Sequence, residues 1–258
     1  MTTDNGHKMN WRVVSASVTG TSHEKRSQPC QDAHRWKLLA NGVLVAAVAD
    51  GAGSATLAEV GAKMAVEAAV ATVCQYQWSL PDEEKGWQQL LSEAVQTARA
   101  AVEAEATIRE TNPRDLASTL ILVVATPELV AVAQVGDGAT VVADGEGNIA
   151  ALTVPPCGEY INETIFLVSP DAIATAQWQV WRGKLAQLAM FSDGLQLLAL
   201  KMPEATPHTP FFSPLFRFAA QIQDEAEAQQ QLESFLRSPR VTERTDDDLT
   251  LLLASFSD

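Results

Sequence analysis

The chain has 258 residues, 47% of them hydrophobic and 19% charged, which is enough apolar material for one large core. Its 18 basic residues are outnumbered by 32 acidic ones, giving a formal charge of −14. That balance, without a basic run, argues against partners such as nucleic acid or an anionic membrane.

Cys30, Cys74 and Cys157 are widely spaced and odd in number. They predict neither a disulfide framework nor a zinc ribbon, and they fit a reducing, cytoplasmic compartment. Residues 1–10 are polar and lack the apolar stretch of a signal peptide.

In chain order, Trp11–Thr19 reads as a first strand, and Gly20–Pro29 as a polar loop. The apolar run Gly42–Ala49 predicts a buried strand. Leu57–Gln77 is alanine-rich, with Val60, Met64, Ala68 and Ala71 near helical spacing, and Trp87–Arg109 carries an apolar stripe of Leu90, Leu91, Ala94, Val95, Ala98 and Val102. Both predict helices. Strands are then expected at Ser118–Ala125, Leu129–Val135, Ala139–Ala143, Thr164–Val168, Gln177–Trp181 and Ala186–Phe191. Trp178 and Trp181 fall among them as core or interface residues. The proline-rich stretch Pro203–Pro214 reads as a loop, Leu215–Leu236 as a helix and Leu249–Phe256 as a final strand. Strands interrupted by two consecutive helices do not alternate as in a doubly wound fold. They predict an α+β domain in which helices cover antiparallel sheets. No linker or repeat divides the chain, so a single domain is expected, with a core over about residues 11–256.

Three apolar runs end in Asp-Gly: at Asp50-Gly51, Asp137-Gly138 and Asp193-Gly194. The last strand is preceded by Asp246, Asp247 and Asp248. Carboxylates at strand tips sit at the rim of a rigid sheet, and several together make an oxygen cage suited to Mg²⁺ or Mn²⁺. Asp-Gly is also the commonest hairpin turn. Because strands flank Asp137-Gly138 on both sides, a hairpin is the expected role there. Asp50 and Asp193 lead into helical stretches instead.

In this order, Gln31-Asp32-Ala33-His34, Val48-Ala49-Asp50-Gly51, Ser118-Thr119-Leu120, Val135-Gly136-Asp137-Gly138, Phe191-Ser192-Asp193-Gly194-Leu195 and Asp247-Asp248-Leu249-Thr250 resemble the metal-dependent protein phosphatases of type 2C, in particular a bacterial branch. The resemblance implies a four-layer α-β-β-α sandwich of two antiparallel sheets. It also implies hydrolysis of phosphoserine or phosphothreonine in protein substrates by water activated between two divalent cations. Asp50, Asp193 and Asp247 would be catalytic, and Asp32, Asp50, Gly51, Asp193 and Asp247 would hold the metals. Asp115, one residue out of register with the family, would take a third cation. The rival reading is a catalytically weak, phosphoprotein-binding regulator of the same fold. Retention of Asp50, Asp193 and Asp247 favours the enzyme.

The chain departs from the family's usual pattern at Gln31, where Glu is frequent, at Ala52, where many eukaryotic members carry His, and at Asp248, where Asn is common. Val135–Ala139 also lacks the family's Ser-Arg. Arg26, with Lys25 beside it, stands near the family's phosphate-binding arginine. His23 reads first as an exposed loop histidine and second as a proton donor close to substrate phosphate. His34 reads as structural.

Overall fold

The computed structural model describes residues 10–76, 79–156 and 164–257. The expectations for the first nine residues and for Cys157 therefore lie outside the described residues. Strand β1 (Asn10–Val18) is followed by a short helix α1 (Thr21–Arg26), strands β2 (Ala33–Leu38) and β3 (Leu44–Ala49), and helices α2 (Ala58–Cys74) and α3 (Glu84–Ile108). A 3-10 turn at Pro113–Leu116 leads to β4 (Leu120–Thr126), β5 (Leu129–Val135), β6 (Ala139–Asp144) and β7 (Ile149–Thr153). Then come α4 (Ala172–Thr175), β8 (Gln177–Arg182), β9 (Leu185–Phe191), α5 (Gln196–Ala199) and the short pair β10 (Leu200–Lys201) and β11 (Thr206–Pro207). Helices α6 (Thr209–Ala220), α7 (Glu225–Leu236) and α8 (Pro239–Thr242) precede the last strand, β12 (Leu249–Ser257).

Two antiparallel five-stranded sheets, ordered β1-β12-β9-β6-β7 and β2-β3-β4-β5-β8, face one another. Because strand side chains alternate, each central strand feeds two cores. In β4, Ile121 and Val123 point between the sheets, where they meet Leu188, Met190 and Leu252. Leu120, Leu122 and Val124 point the other way, into a core shared with α2 and α3. The outer face of the first sheet is closed by α6 and α7, with Phe191, Phe212 and Phe216 at its centre. Burial on both faces is why these strands are continuous apolar runs rather than alternating ones. The result is the four-layer sandwich.

Differences from the sequence expectations have local causes. Gly20–Pro29 is not a loop throughout, since it holds α1. β2 and β7 lie at sheet edges, where exposed residues such as Arg35 and Lys37 of β2 break the apolar signal. Thr164–Val168 forms no strand. Leu215–Leu236 is two helices, because the chain turns at Gln221 and Asp224 caps α7 by accepting the Glu227 N–H. The proline-rich stretch is partly helical, with Pro210 at the start of α6, where no N–H is needed, and Pro214 within it. No helix among the described residues is long and apolar enough to cross a membrane.

The buried face of α2 runs through Ala58, Ala62, Ala65, Ala69 and Val73, one position round from the expected stripe. Its small residues let the helix approach the Pro113–Leu116 turn so closely that a Cβ on Gly61 would lie 1.9 Å from the Leu116 carbonyl oxygen. This contact is with backbone, so Gly61→Ala should fall at the upper end of the roughly 1–3 kcal/mol typical of overpacking. That outweighs the roughly 1 kcal/mol by which Ala surpasses Gly in a helix. A lowered urea midpoint for Gly61→Ala is the expected result, and an unchanged or raised midpoint would contradict this packing.

Candidate metal centre

One end of the sandwich gathers the aspartates. Pairing of Ala33 with Ala49 puts Asp32 and Asp50 side by side just beyond the last rung of β2 and β3. In the other sheet, Phe191 pairs with both Ala139 and Leu251, so Asp193, Asp137 and the Asp247-Asp248 pair reach the same end. Asp137-Gly138 is therefore not a hairpin. β5 and β6 belong to different sheets, and Gly136 turns the chain from one to the other with φ +103°, closely packed on Thr119.

Asp50, Asp137 and Asp193 each offer a carboxylate oxygen within 4.8 Å of the others. Their backbones are pinned individually. Asp50 donates its N–H to Thr119 Oγ1 at 2.9 Å and accepts from the Thr119 N–H at 2.8 Å, while the Gly51 N–H reaches the Gln31 carbonyl. The Asp137 carbonyl accepts from Gln196 Nε2 at 2.6 Å, and its Oδ2 accepts from Thr164 Oγ1 at 2.7 Å. Asp32 is buried, and its Oδ2 accepts from Ser192 Oγ at 2.7 Å, a hydroxyl held in turn by the Thr250 N–H. Oδ1 of Asp32, Asp137 and Asp193 is buried without a hydrogen-bond partner. Orphaned anionic oxygens converging in this way are what a hard divalent cation would satisfy, so the donor set fits a metal site.

Without a cation the charges press on one another. Burial pushes Asp32 up to about 7, against the Ser192 hydrogen bond and with help from the charge on Asp248. Asp50 is driven well above the usual carboxylate range by burial and then by the charges of Asp32 and Asp193. Burial also pushes Asp193 up to about 6, against its hydrogen bond with Asp50 and with a further push from Asp137 and Asp247. Carboxylates this close resist ionising together.

The protein phosphatase 2C family profile matches residues 19–237. The chain belongs to the protein phosphatase 2C family. It is 39% identical over 257 residues to serine/threonine-protein phosphatase 3 of Escherichia coli (strain K12), covering 97% of this chain and 100% of that one. Its fold matches that of a bacterial serine phosphatase (TM-score 0.67, 14% identity, 96% of this chain and 98% of the other). It also matches the catalytic domain of the phosphatase PstP in complex with two manganese ions (TM-score 0.62, 15% identity, 97% and 100%).

The structure sorts the expected site residues of this phosphatase 2C chain into groups. Asp50 and Asp193 lie in the carboxylate cluster, and Asp32 and Gly51 stand beside Asp50. Asp247 is exposed at the rim, its Oδ1 accepting the Asp248 N–H, and its charge bears on both Asp50 and Asp193. Asp137 belongs to the cluster although its sequence context predicts a turn; the Gly136-Asp137-Gly138 run was the available signal. Asp115 does not belong to it. Its Oδ2 accepts from Thr111 Oγ1 and the Asn112 N–H, closing a capping box on the 3-10 turn. Arg26 is exposed, and its Nε donates to the Ser22 carbonyl one helical turn back. His23 is no exposed loop residue: it is buried on α1, with Nδ1 against Asp248.

The raised carboxylates fix the pH response of the metal-free protein. Above about pH 4 the unfolded chain ionises these aspartates while the folded one resists, so unfolding releases protons and stability falls as pH rises toward 7. Melting temperature in chelator should therefore drop between pH 4 and pH 7, and Mn²⁺ at pH 7 should restore it. A metal-free protein whose melting temperature climbs steadily over that range would refute this electrostatic picture.

Proposed function

We propose that this phosphatase hydrolyses phosphoserine and phosphothreonine in proteins. It would do so with two divalent cations, Mn²⁺ or Mg²⁺, held by Asp32, Asp50, the Gly51 carbonyl, Asp137, Asp193 and Asp247. The observation that carries this reading is the convergence of Asp50, Asp137 and Asp193, with ligand oxygens within 4.8 Å and with Oδ1 of Asp137 and Asp193 unpartnered. The name of the 39%-identical relative, a serine/threonine-protein phosphatase, supports the substrate class. The two manganese ions in the PstP complex support the cofactor. Asp137 stands in this set, whereas the Asp115 carboxylate is engaged by Thr111 and Asn112.

When bound, the cations supply Lewis acidity toward the phosphoryl oxygens and water made nucleophilic near neutral pH. The chain's own part is positional. Thr119 fixes the backbone of Asp50, Ser192 turns Asp32 so that Oδ1 remains available, and Thr164 does the same for Asp137. Ala52 packs in a small apolar cluster with Ala55, Ala58 and Ala117, so no leaving-group proton comes from that position. We place the enzyme in the cytoplasm, acting on phosphoproteins. The unpaired Cys30 and Cys74 suit that compartment.

Hydrolysis of a phosphothreonine peptide should require Mn²⁺ or Mg²⁺ and stop in excess chelator. Asp50→Asn and Asp193→Asn should lower turnover by orders of magnitude, and Asp137→Asn should lower it clearly. Asp115→Asn should leave it near the parent value. Undiminished turnover in chelator would sink the cation-dependent reading.

A further inference from the structure

Asp248 is 2% exposed and lies one residue beyond the rim aspartate Asp247. Its carboxylate accepts from three donors on two other segments. Oδ1 takes the Gly20 N–H at 2.6 Å, and Oδ2 takes the Gln31 N–H at 2.5 Å and His23 Nδ1 at 2.9 Å. The Asp246 carbonyl completes the junction by accepting the Ser22 N–H at 2.9 Å. One buried side chain thus ties the start of β12 to α1 and to the residue preceding Asp32.

We propose that Asp248, braced by His23, is a positioning residue that locks the Asp247-bearing start of β12 to the Asp32-bearing start of β2, setting both carboxylates for cation binding. This rests on the phosphatase reading above. The chemistry explains why an aspartate stands here rather than the family's common asparagine. Gly20 and Gln31 present N–H groups that cannot become acceptors, and His23 presents a third donor to the same carboxylate. Two carboxylate oxygens receive all three, whereas an amide would turn its NH₂ toward at least one N–H. The histidine is the charged or dipolar neighbour that makes a buried carboxylate tolerable there. His23 and Asp248 are 225 residues apart in sequence, so each is intelligible only through the other.

The test uses the full chain stripped of metal and titrated with MnCl₂ by calorimetry. Melting temperature is measured alongside, as are kcat and KM for para-nitrophenyl phosphate at saturating Mn²⁺. Asp248→Ala should weaken Mn²⁺ binding by about tenfold or more, the range seen when groups that orient metal ligands are removed. It should also lower kcat with little change in KM. Asp248→Asn should fall between Asp248→Ala and the parent. His23→Ala should weaken Mn²⁺ binding in the same direction, and His23→Asn, whose amide nitrogen can donate where Nδ1 does, should recover part of it. If Asp248→Ala does not fold, Asp248→Asn and the His23 pair decide the matter. Variants that melt lower yet bind Mn²⁺ as the parent does would reduce Asp248 to a structural anchor and overturn this proposal alone. A parent protein that binds no Mn²⁺ would overturn the phosphatase reading with it.

Discussion

Mutual repulsion among half-buried carboxylates is the constraint on which this structure turns. Asp50, Asp137 and Asp193 would separate if they stood on mobile loops, because each gains by moving toward water and away from its neighbours. The fold denies them that escape. Each follows or precedes a strand buried on both faces, and those strands come from both sheets. The alanine-rich helix α2 lies tightly on the turn before Thr119, and Thr119 pins Asp50. Core packing several layers deep is thus converted into a fixed arrangement of like charges.

Hydroxyl groups do the finer work. The Ser192 and Thr164 hydroxyls donate to carboxylate oxygens, the Thr250 N–H holds the Ser192 hydroxyl in place, and none of these groups carries a charge. A lysine or arginine in those places would neutralise the aspartates and leave nothing for a cation. Neutral donors orient one oxygen and leave the other exposed to the centre. The same logic extends to Asp248, whose charge is absorbed by backbone N–H groups and His23 rather than by a long basic side chain.

The central strands were legible in the sequence because burial on two faces leaves uninterrupted apolar runs such as Leu120–Ala125. The edges were not, since β2 carries His34, Arg35 and Lys37 within six residues. Asp50 and Asp193 could be read from an apolar run, an Asp-Gly and a following helical stretch. Asp137 shares that pattern but is flanked by strands, and no local periodicity tells whether the next strand stays in the same sheet or crosses to the other. Asp115 shows the opposite error. A plausible position relative to a family pattern says nothing about whether neighbouring Thr111 and Asn112 have already engaged the carboxylate. Asp248 and His23 were individually visible, but their contact spans nearly the whole chain and has no signature at either end.

The passage from β5 to β6 takes only three residues, Gly136 to Gly138, and carries the chain from one sheet to the other. With Asp137 in this short span between them, Asp50 at the tip of β3 and Asp193 just beyond β9 would grip the same ion from opposite sheets. An occupied centre would then behave as a rivet through the two halves of the sandwich, and prying them apart at that end would require its release. The lifetime of the folded chain against proteases would accordingly follow the free Mn²⁺ or Mg²⁺ around it. A cell short of these ions would lose the enzyme by degradation as well as by inactivity.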